Sequence, residues 1–294
     1  MIKTRIEEES NYRSVYCNGK TLRFALDAKL PIKELIYPEF YDVDIFGVGQ
    51  GLCKGKCPYC YLSANEGGKY VEDAVEKITK YFGDMTINQR PYQVAMPGSG
   101  EFTMHPDHVN ILKAFHDLGI QPNYTTNGMW VDESKELIEN LLIATQLYCG
   151  GVAVSCHSHL KKYWTKAAKI YSDLGVKLFF HFIISDRRSI DEFSKIYVKW
   201  KDLVDYFVLL PYGEQGRAKH KEIDWEYLVE KMPVEQTKLA FGAHFYPYLM
   251  ETKHNFKVSI YEPEICSKFL DLKGHGSLYK SSFNLEESIK TNLF

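Results

Sequence analysis

Cys53, Cys57 and Cys60 stand within the stretch GLCKGKCPYCYLSA, residues 51 to 64, at the spacing C-x3-C-x2-C. Thiolates are soft ligands that suit iron-sulfur clusters, zinc or copper(I). A structural zinc usually takes four protein ligands, commonly from paired C-x2-C units that this trio lacks. Three local cysteines can instead hold three irons of a [4Fe-4S] cube and leave the fourth iron open to a non-protein ligand. A cofactor can occupy that vacancy. A zinc knuckle completed by a distant Cys or His is the alternative for the same trio. Cys17, Cys149, Cys156 and Cys266 are scattered, the pattern of isolated buried thiols and not of a second cluster.

The chain that must position this trio has 294 residues, 45% hydrophobic and 25% charged, an ordinary globular composition with enough apolar material for a large core. A net charge of -2 gives no electrostatic argument for nucleic acid or a membrane surface, so nucleic acid is the less favoured partner. The amino terminus, MIKTRIEEES, is charged where a secretory signal is apolar. No run approaches the roughly 18 consecutive apolar residues of a membrane span. The expectation is a cytoplasmic protein with reduced cysteines, in which a tight thiol cluster means metal or redox chemistry.

Short apolar runs alternate with amphipathic stretches. The strand candidates are VDIFGV (43 to 48), YQVAM (92 to 96), PNYTT (122 to 126), GVAVS (151 to 155), KLFFHFII (177 to 184) and YFVLLP (206 to 211). Leu160, Tyr163, Trp164, Ala167, Ile170, Tyr171 and Leu174 keep to one helical face, as do Val71, Val75, Ile78 and Phe82, and Phe193, Ile196, Tyr197 and Trp200. Six strand-helix pairs in series predict an α/β fold, a partial (βα)6 barrel of TIM type, over residues 41 to 218. Residues 1 to 40 form an N-terminal extension expected to pack at the base or edge of the barrel. Residues 219 to 294 form a C-terminal extension that begins with a helix around Trp225, Leu228, Val229 and Met232 and continues in the strand-like runs GAHFYPYL and KVSIY. It is expected to close the open side and shape a pocket. Barrel chemistry sits in the loops after the strands, and the cysteine stretch follows the first of them.

With an aromatic, Tyr59, just before its third cysteine, the motif resembles the signature of radical S-adenosylmethionine (SAM) enzymes, and the resemblance covers roughly residues 40 to 215. It implies that Cys53, Cys57 and Cys60 hold a [4Fe-4S] cluster whose open iron is chelated by SAM. SGEFTMHPD, residues 99 to 107, resembles the family's GGEP segment through Gly100 and Glu101, with Ser99 and Phe102 in place of the usual glycine and proline. TTNG, residues 125 to 128, is similar to the TNG found after the third strand, which places Asn127 beside the cofactor. By position in the family, Ser155 faces the ribose or the methionyl carboxylate, Arg187 or Arg188 pairs with that carboxylate, and the segment from Pro211 to Ala218 touches the adenine. His157 and His159 in CHSH have no acidic partner nearby in sequence and are expected to start a helix and face solvent, and His181 lies inside an apolar strand.

The resemblance implies reductive cleavage of SAM to a 5'-deoxyadenosyl radical, which abstracts hydrogen from a small-molecule or peptidyl substrate. It also implies an external one-electron reductant such as flavodoxin or ferredoxin. Two readings from other classes stand beside it: a glycyl-radical-type activase acting on a partner protein, and a non-catalytic zinc-binding scaffold. Metal and sulfide content separates the zinc-binding scaffold from the other two readings.

Overall fold

The computed structural model describes residues 2–213, 215–219, 221–233, 236–242, 245, 263–282 and 285–294. The runs GAHFYPYL and KVSIY lie almost wholly outside them.

Strands β1 (Ile2–Glu7), β2 (Tyr12–Cys17) and β3 (Lys20–Ala25) form an antiparallel three-stranded sheet. The rest of the strands share one sheet. Those that carry the barrel are β4 (Phe40–Asp44), β5 (Gln93–Met96), β6 (Gln121–Thr126), β7 (Gly151–Ser155), β8 (Leu178–Ile184) and β9 (Tyr206–Pro211). All six are parallel and paired in sequence order. The helical crossovers between them are α1 (Ala74–Gly83), α2 (His108–Asp117), α3 (Lys135–Tyr148), α4 (Lys161–Asp173) and α5 (Arg187–Trp200), followed by α6 (Trp225–Lys231). This is the partial (βα)6 barrel that the alternation of runs predicts.

Two parallel strands extend it. Strand β10 (Leu239–Phe241) pairs with β9, and β11 (Ser267–Asp271) pairs with β4 on the opposite edge. Strands β12 (Ser277–Tyr279) and β13 (Lys290–Thr291) continue antiparallel from β11, which makes ten strands among the described residues, in order β10-β9-β8-β7-β6-β5-β4-β11-β12-β13.

Alternation along each strand explains both faces. Val43, Val94, Tyr124, Val154, Phe180 and Phe207 are buried in one core with Phe82, Phe115, Trp164, Tyr171 and Trp200 of the helices. The intervening residues, among them Asp42, Ala95, Thr125, Ser155, His181 and Val208, point the other way, into the lumen. Register aligns Asp42 with Ala95, Thr125 with Ala153, and Ser155 with His181 and then Val208.

The N-terminal sheet docks beneath the strands. Arg5 donates through Nη2 to the Arg90 carbonyl at 2.6 Å and lies over the Tyr92 ring. Tyr16 stacks on Tyr92, whose hydroxyl meets that of Ser14 at 2.8 Å, and Arg23 pairs with the buried Glu39. Tyr92 and Glu39 immediately precede β5 and β4, so these contacts sit at the end of the barrel opposite the cysteines. No helix among the described residues is long and apolar enough to cross a membrane.

Candidate active site

After Asp44 the chain leaves the sheet through Gly47 and Gly49, both at positive φ, and enters the cysteine loop. Bridges from Gly51 to Lys69 and from Leu52 to Asn65 close its base. Cys53 N–H donates to the Asn65 carbonyl at 2.9 Å, and Asn65 N–H returns a bond of 2.9 Å to Gly51. Tight turns then present the trio: Cys60 N–H reaches the Cys57 carbonyl, and Ser63 N–H reaches that of Cys60.

All three thiols are free and half-buried. Burial, and then the Glu101 carboxylate, pushes Cys53 up to about 11. Cys57 is pushed up to about 12 by burial, with the neighbouring Cys53 and Cys60 adding to the effect. Metal binding must therefore displace protons from this loop. Donors already wait for the sulfur charge: Gly55 N–H lies 3.3 Å from Cys53 Sγ, and Asn127 Nδ2 lies 3.5 Å from it. Among the described residues no three His, Cys, Asp or Glu side chains converge as ligands of one ion must. A cube asks something different, one thiolate at each of three separate irons, and a soft three-sulfur set with hydrogen-bond donors on it fits that group.

The loop after β5 is pressed against the cysteine loop. A Cβ at Gly51 would fall 1.5 Å from the Ser99 carbonyl oxygen, and one at Gly100 would fall 2.6 Å from the Phe46 ring. Only glycine allows this approach. Glu101 N–H donates to the Leu52 carbonyl at 2.8 Å. The Glu101 side chain turns the opposite way: Oε1 accepts from Thr103 (2.9 Å) and Thr126 (2.6 Å), and Oε2 accepts from Asn127 N–H (2.8 Å). Burial raises its carboxyl above the ordinary range in spite of these bonds. Glu101 thus ties the loop after β5 to the loop after β6. Ser99 donates at 2.5 Å to Asp44, whose other oxygen accepts Phe46 N–H at 3.0 Å. Burial, with Asp271 nearby, pushes Asp44 up to about 7.

Two clamps, neither evident from local sequence, grip the cysteine loop from either side. Arg217 donates to the carbonyls of Cys57 (3.1 Å) and Ala64 (2.8 Å), and its N–H bonds the Cys60 carbonyl at 3.0 Å. Gly216, at φ 62, approaches so closely that a Cβ would meet the Tyr61 carbonyl at 2.4 Å. On the other side His157 Nδ1 meets the Tyr59 hydroxyl at 3.1 Å, and His159 Nε2 meets the Gly55 carbonyl at 3.0 Å. The two imidazoles stack, and the Tyr59 ring packs edge-on against both. The expectation that both histidines face solvent is met only in part: His159 is exposed and His157 half-buried, yet each is engaged by the loop. Burial pushes His157 down to about 4, so the ring is neutral. Partners of metal-bound loops commonly contribute 10- to 100-fold to metal retention. His157→Ala and His159→Ala are each expected to speed iron loss to a ferrous chelator by about tenfold. Unchanged release rates would remove the clamp from the account.

The structure brings Cys53, Cys57, Cys60, Ser99, Gly100, Glu101 and Asn127 together at one end of the barrel. Asn127 also accepts Met129 N–H at 2.9 Å, which holds its amide toward Cys53, and Gly128 supplies the left-handed turn against the Trp164 backbone. Ser155 ends β7 on the lumen face, and Pro211 ends β9. Arg187 stands at the start of α5, but its Nε binds Asp224 at 2.7 Å and its guanidinium lies over Tyr227. That carboxylate and ring already engage it. Arg188 beside it is exposed.

The sequence model of the Radical SAM superfamily matches residues 48–183, from the cysteine loop to β8. No curated protein matches the chain. Among solved structures, SuiB of Streptococcus suis bound to the precursor peptide SuiA is 21% identical, with a TM-score of 0.63 over 88% of this chain and 63% of that one. SuiB bound to S-adenosylmethionine gives 18% identity and a TM-score of 0.59, over 88% and 64% of the two chains. The chain thus spans less than two thirds of SuiB. Native anSMEcpe with bound AdoMet and the Cp18Cys peptide is 14% identical, with a TM-score of 0.57 over 86% of this chain and 77% of that one. Enzymes of the matched superfamily use a [4Fe-4S] cluster and SAM, the two groups for which the thiol trio and its open corner are suited. Residues 48–183 thus resemble the Radical SAM superfamily in sequence, and the fold of the chain is that of SuiB and anSMEcpe.

Proposed function

We propose that the chain cleaves SAM reductively at a cluster held by Cys53, Cys57 and Cys60 and uses the product to take a hydrogen atom from a substrate seated in the barrel lumen. The observation that carries this reading is the convergence on the cysteine loop of Asn127 at Cys53 Sγ, Glu101 at the Leu52 carbonyl and Arg217 at three loop carbonyls. A reduced cluster held by the three thiolates would supply one electron to the sulfonium of bound SAM, whose bond from sulfur to C5' would break to give methionine and a 5'-deoxyadenosyl radical able to attack an unactivated carbon.

The chain's own part is to hold and to exclude. The backbone of Ser99 and Gly100 packs against that of Gly51, beside the loop that would hold the cluster and SAM. Asn127 and the Gly55 N–H direct hydrogen bonds at thiolate sulfur, which favours the charged form and tunes its donor strength. The lumen below, lined by Ala95, Ala153, Thr125, Ser155 and His181, receives the substrate and shields it from bulk water. A small molecule or a short peptide segment suits such a lumen, and peptides are named in the descriptions of SuiB and anSMEcpe, proteins of this fold. The reducing electron comes from an external one-electron donor of the flavodoxin or ferredoxin class.

The test is anaerobic incubation of the iron- and sulfide-loaded protein with SAM and dithionite. Release of 5'-deoxyadenosine is expected. Its absence, or stoichiometric zinc without sulfide in the isolated protein, would overturn the reading.

A further inference from the structure

The carboxylates near the cysteines, buried Glu101 and Asp44 and half-buried Asp42, differ in what their oxygens do. Glu101 accepts three hydrogen bonds and Asp44 accepts two, so both are committed to holding loops. Asp42, one pleat earlier on β4, accepts none among the described residues, and no Lys or Arg pairs with it. Its neighbours in register are Ala95 on β5 and Phe269 on β11, neither of which offers a polar side chain. The nearest titratable group identified on the cysteine loop is Tyr61, whose hydroxyl contacts Ser282 at 3.5 Å and feels the Asp42 charge. Asp42 is half-buried on the lumen face of β4, so its unpartnered carboxylate is open to a group that enters the lumen.

We propose that Asp42 is the residue that recognises the substrate and that it binds a cationic nitrogen, a primary ammonium or a guanidinium, inside the barrel lumen. The assignment rests on the radical SAM reading above and names the substrate class for that site. An isolated carboxylate costs several kcal/mol to keep ionised away from water, and a bound cation offsets that cost. Burial alone pushes the free Asp42 carboxyl up to about 7, the mark of a charge without its counterpart. Thr125, Ser155 and His181 line the same lumen, and their side chains also make no hydrogen bond among the described residues. Burial lowers His181 to about 4, so it is neutral and can accept or donate without competing for the carboxylate. The small Ala95, Ala153 and Ala240 leave room between these groups.

Ligand-observed NMR titrations of the cluster-loaded protein with n-butylammonium, n-butylguanidinium and n-butanol test this. At least one cation is expected to bind about tenfold or more tightly than the alcohol of the same length. Asp42→Asn is expected to cut that preference by about tenfold, while Asp42→Glu, which restores the charge, retains it. Near-UV circular dichroism of both variants checks that the barrel is intact. The proposal is overturned if the alcohol binds as well as both cations, or if Asp42→Asn keeps the preference. SAM cleavage by the wild-type protein is scored separately, and its failure would sink the radical reading and not the cation site.

Discussion

Cys53→Ala, Cys57→Ala and Cys60→Ala are each expected to abolish 5'-deoxyadenosine release under SAM and dithionite, with a loss of about a thousandfold or more, because each would remove one of the three thiolates proposed to hold the cluster. No fourth thiol stands near enough to substitute. Cys17 lies on β2 in the sheet beneath the barrel, Cys266 is buried beside Tyr12 and Leu35, and Cys149 already donates to the carbonyls of Pro122 and Gly151. Cys156 is buried and donates to the Val154 carbonyl. Cys17→Ala should therefore match the wild type in turnover and in iron and sulfide per chain. Equal loss at Cys17, or full turnover in any variant of the trio, would show that the ligands are misassigned.

The second large effect is on stability. Glu101→Ala strands the hydroxyls of Thr103 and Thr126 and the N–H of Asn127, all buried. Leaving one such group unpaired costs about 1–3 kcal/mol. Because the three share one cavity and relax together, the sum falls to roughly 3–5 kcal/mol, large against a typical domain stability of about 5–15 kcal/mol. Glu101→Gln keeps an acceptor but turns an amide toward one of the three donors, so a loss of about 1–2 kcal/mol is expected. Urea unfolding midpoints of the two variants measure this difference. An alanine variant as stable as the glutamine one would mean that Glu101 is not the tie between the two loops.

The six barrel strands are legible in the sequence because a parallel strand buried under helices reads as a short apolar run between breakers. GVAVS and YFVLLP coincide with β7 and β9 to the residue. The first run is displaced: VDIFGV predicts a strand over 43 to 48, whereas β4 is Phe40–Asp44. Ile45 and Phe46 are apolar because they fill the core beside the Gly100 turn, while Asp44 accepts Phe46 N–H and bends the chain out of the sheet. Strand β11 is opaque for a different reason. SKFLD carries a lysine, and the tertiary ion pair of Lys268 with Glu34 helps that residue sit in a buried strand.

The N-terminal sheet is hidden because burial runs against residue type: β1 buries Arg5 and leaves Ile2 and Ile6 exposed, and β3 leaves Leu22 and Phe24 exposed. Within the site, Cys53, Cys57 and Cys60 are legible from their spacing, and Gly100 and Asn127 through the resemblance of their segments to family motifs. Arg217, His157 and His159 are not. Their partners are backbone carbonyls and a tyrosine hydroxyl some hundred or more positions away, at |i−j| of 160 for Arg217 to Cys57, 98 for His157 to Tyr59 and 104 for His159 to Gly55, and backbone acceptors leave no residue-type signal.

Strand β4, which launches the cysteine loop, takes one neighbour from the next segment of chain and the other, β11, from near the far end. During synthesis the first strand of the barrel is therefore an unguarded edge until Ser267–Asp271 has left the ribosome. Closing that edge demands a loop of more than two hundred residues, the kind of long-range pairing that slows folding and leaves nascent chains prone to mispairing. The loop proposed to receive iron is thus anchored on both sides only once Ser267–Asp271 has joined the sheet.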